Sequence, residues 1–140
     1  MVVVPGGEPC ACGQSGCLEA YASGSAIERR YMTATGRRGI GAEQVSRGMD
    51  LHARRIWGEA TDLLGAALAH STCLLDPGTI VFGGGVSRAG DRLLNPVRQA
   101  LSSRLRWRAA PQLAVSTLTS HAGLRGAVIQ AWHLADGEPS

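Results

Sequence analysis

Short apolar runs alternate along the chain with longer stretches in which apolar residues return every three or four positions. Val2, Val3 and Val4 form a β-branched run stopped by Pro5-Gly6-Gly7, which reads as the end of a strand. From Cys17 to about Thr33, the residues Leu18, Tyr21, Ala22, Ala26 and Ile27 recur near helical spacing and predict one helix. The glycine-rich stretch Thr35 to Gly41 reads as a connection. A second helical stretch starts near Ala42 and pauses at Gly48-Met49. Asp50 then caps a long helix reaching about Ser71, with Ile56, Leu63, Leu64, Ala67 and Leu68 on its apolar face and Gly65 available for close packing.

Asp76-Pro77-Gly78 is a turn, and Thr79-Ile80-Val81-Phe82 is a continuous apolar run of the kind found in buried parallel strands. Gly83-Gly84-Gly85 ends it. A helix from about Asp91 to Leu105 turns Leu93, Leu94, Val97 and Leu101 inward, and Leu113 to Thr117 forms the next strand. A last helix runs from near Ala122 to about Ala135, followed by a polar tail. Strands alternating with helices point to a parallel α/β arrangement. Two full strands and one stub make a poor sheet. The expectation is therefore that part of the sheet lies outside these 140 residues.

Composition narrows the chemistry. An apolar share of 44% with 18% charged residues describes a globular protein, and this length buries roughly two-thirds of its unfolded surface. The net charge is +3, and all 14 positive side chains are Arg. Without Lys, this stretch cannot supply a Walker-A phosphate loop or Schiff-base catalysis. The Arg residues are scattered and aromatic residues are scarce, so a solvated helical surface is favoured over a nucleic-acid face. No apolar run approaches the roughly 20 residues that cross a bilayer. The N-terminus also lacks a secretory signal pattern. Together these features suggest a cytoplasmic protein.

The densest chemistry is Cys10-Ala11-Cys12-Gly13-Gln14-Ser15-Gly16-Cys17, three thiols in eight residues. Zinc takes four tetrahedral N or S ligands, and thiolates suit it well. Three Cys are one short, and a water or a distant His could complete the set. None of His52, His70, His121 or His133 has a spacing that nominates it, and His121 reads as a cap or surface residue. The alternative is that the thiols are small buried hydrophobes, which is the preferred reading for the solitary Cys73.

The string from Cys10 to Gly24, CACGQSGCLEAYASG, resembles the hallmark of the ROK proteins (repressors, open reading frames and sugar kinases). The segment Ile80 to Ser87 with Gly90 is similar to a second family segment, and Ala122 to Ala127 to a third. The resemblance implies an α/β fold: a partial C-terminal lobe of an actin-like (ribonuclease H-like) ATPase, with a zinc-binding loop at 8–18 and a nucleotide-side segment at 76–135. On this alignment the N-terminal lobe, the catalytic Asp and the family's zinc-binding His fall before Met1, so no catalytic residue is assigned. Cys10, Cys12 and Cys17 match the family's structural zinc ligands, Glu19 its sugar-binding Glu, and Gly83, Gly84 and Gly85 the segment that approaches ATP. The implied function is an ATP- and Mg-dependent, glucokinase-like hexose kinase, here a fragment inactive by itself and often a homo-oligomer in the family. Two alternatives stand beside it. One is a sugar-responsive repressor whose nucleic-acid-binding domain lies upstream, and the other a zinc-stabilised binding module.

Overall fold

A 25-residue helix, α4 (Leu51–Leu75), organises the computed structural model, which describes residues 1–118 and 122–135. Its buried positions Ala53, Ile56, Trp57, Ala60, Thr61, Gly65, Ala67, Ala69 and Thr72 recur with the helical period and make one broad face. Asp50 starts the helix by accepting the backbone N–H of Ala53 at 2.8 Å. The same carboxylate accepts the hydroxyl of fully buried Tyr31 at 2.6 Å. These bonds hold the Asp50 carboxyl below its ordinary pKa, Tyr31 contributing most, and push the Tyr31 phenol up.

Two short helices, α1 (Glu19–Ala22) and α2 (Gly24–Thr35), precede α4, with α3 (Ala42–Val45) between α2 and α4. The single helix predicted over 17–33 is therefore two. Ser23 adopts an extended ψ of 154° and its hydroxyl accepts the N–H of Ala26, so it ends α1 and caps α2. The valine run also differs from expectation. Only Val2 pairs, in one antiparallel bridge with Cys17, because the turn at Pro5-Gly6 bends the chain back at once.

After α4 come β1 (Thr79–Phe82), a 3-10 helix (Gly85–Ala89), α5 (Asp91–Arg104) and β2 (Gln112–Val115). The two strands are parallel, with Thr79 opposite Gln112 and Phe82 opposite Val115. This is one β-helix-β unit whose helix packs on α4. Ile27, Tyr31, Val45, Ile56, Trp57, Leu93, Val97 and Leu101 form the core below it.

Pro96 sits inside α5, where it has no N–H to offer the Arg92 carbonyl one turn earlier. The indole N–H of Trp57 donates to that carbonyl instead, at 2.9 Å, and ties α4 to α5. Gly65 brings the two helices together: a Cβ there would lie 2.5 Å from the Ala100 Cβ and 3.1 Å from the Leu101 nitrogen. α6 (Ala122–Ala135) exposes Leu124, Ile129 and Trp132. Cys73, read as buried, is exposed near the end of α4. His121 and the tail from 136 onward lie outside the described residues.

Two outcomes follow from this packing. Gly65→Val should destabilise the chain by about 1–3 kcal/mol in urea unfolding, because the α4–α5 contact leaves no room. Asp50 contributes stability that is present above its unfolded pKa of about 3.9 and is lost as pH falls through its lower folded value. Asp50→Asn should flatten the acid limb of a Tm-against-pH profile.

Candidate functional site

The cysteine loop closes on the N-terminal segment through backbone bonds. The Gly16 carbonyl accepts the N–H groups of Val3 and Val4 at 2.8 and 3.0 Å, while its own N–H donates to the Glu8 carbonyl at 2.8 Å. Gly16 has φ +79°, and a Cβ there would lie 1.6 Å from the Val4 oxygen, so only glycine fits. Inside the loop, the Cys10 N–H donates to the Gln14 carbonyl at 2.8 Å. Beneath it, the Tyr21 hydroxyl accepts the Glu8 N–H at 2.8 Å.

This folding gathers the sulfurs of Cys10, Cys12 and Cys17 within 4.8 Å of one another. The Cys12 and Cys17 sulfurs are 3.6 Å apart. Two thiolates on a tetrahedral zinc at 2.3 Å would be about 3.8 Å apart, so the donor set and its spacing fit such an ion. The hydrogen bond from Cys12, helped by burial, pushes the Cys17 thiol up to about 11. Cys12 moves the other way, held down chiefly by a backbone hydrogen bond from Gln14. Among the described residues, no His or carboxylate joins the three thiols.

Two residues beyond Cys17, Glu19 opens α1 with an exposed carboxylate. It lines a cavity of about 420 Å³ together with Met1, Phe82, Gly83, Val86 and Ser87. Glu19 and Gly83 therefore share one cavity, although they are far apart in sequence. Gly85 lines a second cavity, of about 510 Å³, with Gly24, Gln44, Arg47 and Arg88. Gly84 lies between the two, at φ +78°, where the chain turns from β1 into the 3-10 helix. Arg47 and Arg88 line the second cavity together with Glu28 and Glu43, and Arg47 pairs with Glu43 at 3.3 Å. Sequence reasoning missed both Arg residues, since nothing local links a residue after α3 to one after β1.

The family model described as "ROK family" matches residues 1–133. The glucokinase of Halalkalibacterium halodurans is 34% identical over 89% of this chain and 43% of its own length. A ROK hexokinase from Thermus thermophilus superposes with a TM-score of 0.82 at 33% identity, over 98% of this chain and 47% of that one. A ROK family glucokinase from Streptomyces griseus, solved with glucose and AMPPNP, gives 0.77 at 33% identity, over 93% and 49%. The chain thus spans a little under half the length of these relatives.

The loop geometry makes a direct prediction about thiol reactivity. Buried Cys17 should react with a thiol reagent more slowly than exposed Cys73. Gly16→Ala should raise the Cys17 rate to that of Cys73, as followed by mass spectrometry of the labelled peptides. An unchanged rate would mean that the Gly16 contact does not hold the loop.

Proposed function

The chain belongs to the ROK family, and on that footing we propose that it supplies sugar- and nucleotide-facing surfaces of an ATP-dependent hexose kinase. The observation that carries this reading is the meeting of Glu19 and Gly83 in one cavity, beside the cysteine loop. A carboxylate at Glu19 can accept hydrogen bonds from two sugar hydroxyls and orient the ring. In the cavity lined by Gly85, Arg88 would face the nucleotide phosphates, while Arg47 is held by Glu43. The reaction of the whole protein would be γ-phosphoryl transfer to a sugar hydroxyl, catalysed by positioning and charge stabilisation around Mg²⁺.

Cys10, Cys12 and Cys17 would hold a structural zinc ion that fixes the loop and, through it, the start of α1. The ion would contribute folding energy and take no part in phosphoryl transfer. Thiols kept reduced for a metal suit the cytoplasm, and no described helix is long and apolar enough to cross a membrane. Kinases among the relatives favour phosphoryl transfer over the repressor expectation.

Binding tests this reading without requiring turnover. Glucose should bind the chain in a calorimetric titration, and Glu19→Gln should weaken it about tenfold or more, the effect of losing a charged hydrogen-bond acceptor. Equal affinity in both proteins would remove Glu19 from the sugar site. Separately, cobalt titration should give thiolate charge-transfer absorption at one ion per chain. Cys12→Ser should diminish that absorption, and no absorption in the parent chain would rule out the metal site.

A further inference from the structure

Between α2 and α4 lies a third cavity, of about 270 Å³, whose wall includes Glu8, Arg29, Arg30, Thr33 and Arg55. It shares no lining residue with the Glu19 or Gly85 cavities. Its charge is out of balance. Three guanidinium groups are set against Glu8 in the wall and Glu59, which pairs with Arg30, leaving one positive charge in excess.

Arg30 is the fixed member. Its side chain is only 9% exposed, it forms an ion pair with Glu59, and its guanidinium lies over the Tyr21 ring at 4.8 Å. Its Nη1 is buried and has no hydrogen-bond partner. A charged donor left unpaired away from water is costly, and native structures seldom keep one without a reason. Arg29 is only loosely engaged: it lies 3.9 Å from Glu8, with both side chains half-exposed, and donates a long 3.4 Å hydrogen bond to the Ala20 carbonyl. Arg55 has no hydrogen-bond or ion-pair partner among the described residues. The exposed Thr33 adds a hydroxyl donor.

We propose that this cavity binds a phosphate-bearing anion. A phosphate offers three or four acceptor oxygens in a tetrahedral array, which suits donors from the exposed Arg29, Thr33 and Arg55, with Arg30 behind them as a fixed positive charge. A carboxylate offers only two oxygens in one plane. Guanidinium forks are well matched to phosphate oxygens, and the excess positive charge favours an anion over a neutral ligand. The oxygens would draw Arg29 away from Glu8, whose backbone belongs to the cysteine loop. Occupancy of this cavity would therefore be felt at the loop.

The test is titration of the whole chain with inorganic phosphate and with glucose 6-phosphate, read by calorimetry and by Tm at constant ionic strength set with sodium chloride. Phosphate should raise Tm beyond the chloride control. The double variant Arg29→Gln/Arg55→Gln should weaken binding by about tenfold or more, with its ligand-free Tm unchanged because both side chains are exposed. Calorimetry keeps the test decisive if that Tm shifts. Equal affinity for the two probes would assign the site to free phosphate, and tighter binding of glucose 6-phosphate that persists in Glu19→Gln would assign it to a phosphomonoester. Glu19→Gln separates this cavity from the proposed sugar site, since it should leave the inorganic phosphate response intact. Chloride reproducing the effect, or full binding by the double variant, would overturn the proposal.

Discussion

The contact between Gly16 and the Val4 carbonyl is the constraint on which the candidate site depends. No side chain can stand there, and the backbone bonds it permits clamp the cysteine loop onto the N-terminal segment. Cys17 follows at once and is buried, and Glu19 comes two residues later at the cavity wall. The position of Glu19 at the start of α1 thus follows from a backbone approach that has no chemistry of its own. An ion held by the three sulfurs, which lie within 4.8 Å of one another, would reinforce the same clamp from inside the loop.

The second support is α4. Gly65 lets α5 approach closely, and Trp57 supplies the hydrogen bond that Pro96 removes from α5. Tyr31 and Asp50 fix α2 to the start of α4 through one bond that shifts both pKa values apart. The β1 turn and the 3-10 helix after it are held against this assembly, which sets Gly83 opposite Glu19. Two parallel strands alone would be a marginal sheet. Much of the order in the described residues comes from helix packing.

Much of this was legible in the sequence because the signals were local. Asp50 before an apolar stripe, Gly83-Gly84-Gly85 after an apolar run, and three Cys in eight residues each announce themselves within one turn or loop. The failures were equally physical. Apolar spacing runs straight through Ser23, whereas the break there depends on a hydroxyl reaching the Ala26 N–H. β-branched residues at 2–4 suggested a strand, but Pro5-Gly6 leaves room for only one bridge. Cys73 misled because its apolar neighbours, Leu74 and Leu75, are themselves exposed. The Arg cluster at 29, 30 and 55 could not be seen without knowing that α2 lies along α4.

The central claim is that Glu19 and the turn after β1 form the two sides of one sugar-facing cavity. Backbone amide resonances of the isotopically labelled chain, followed during a glucose titration, test it most directly. Resonances of Glu19 and Gly83 should move together along one saturable binding curve, while those of Arg29 and Arg55 stay in place. Movement confined to one side of the cavity, or none at either, would contradict it.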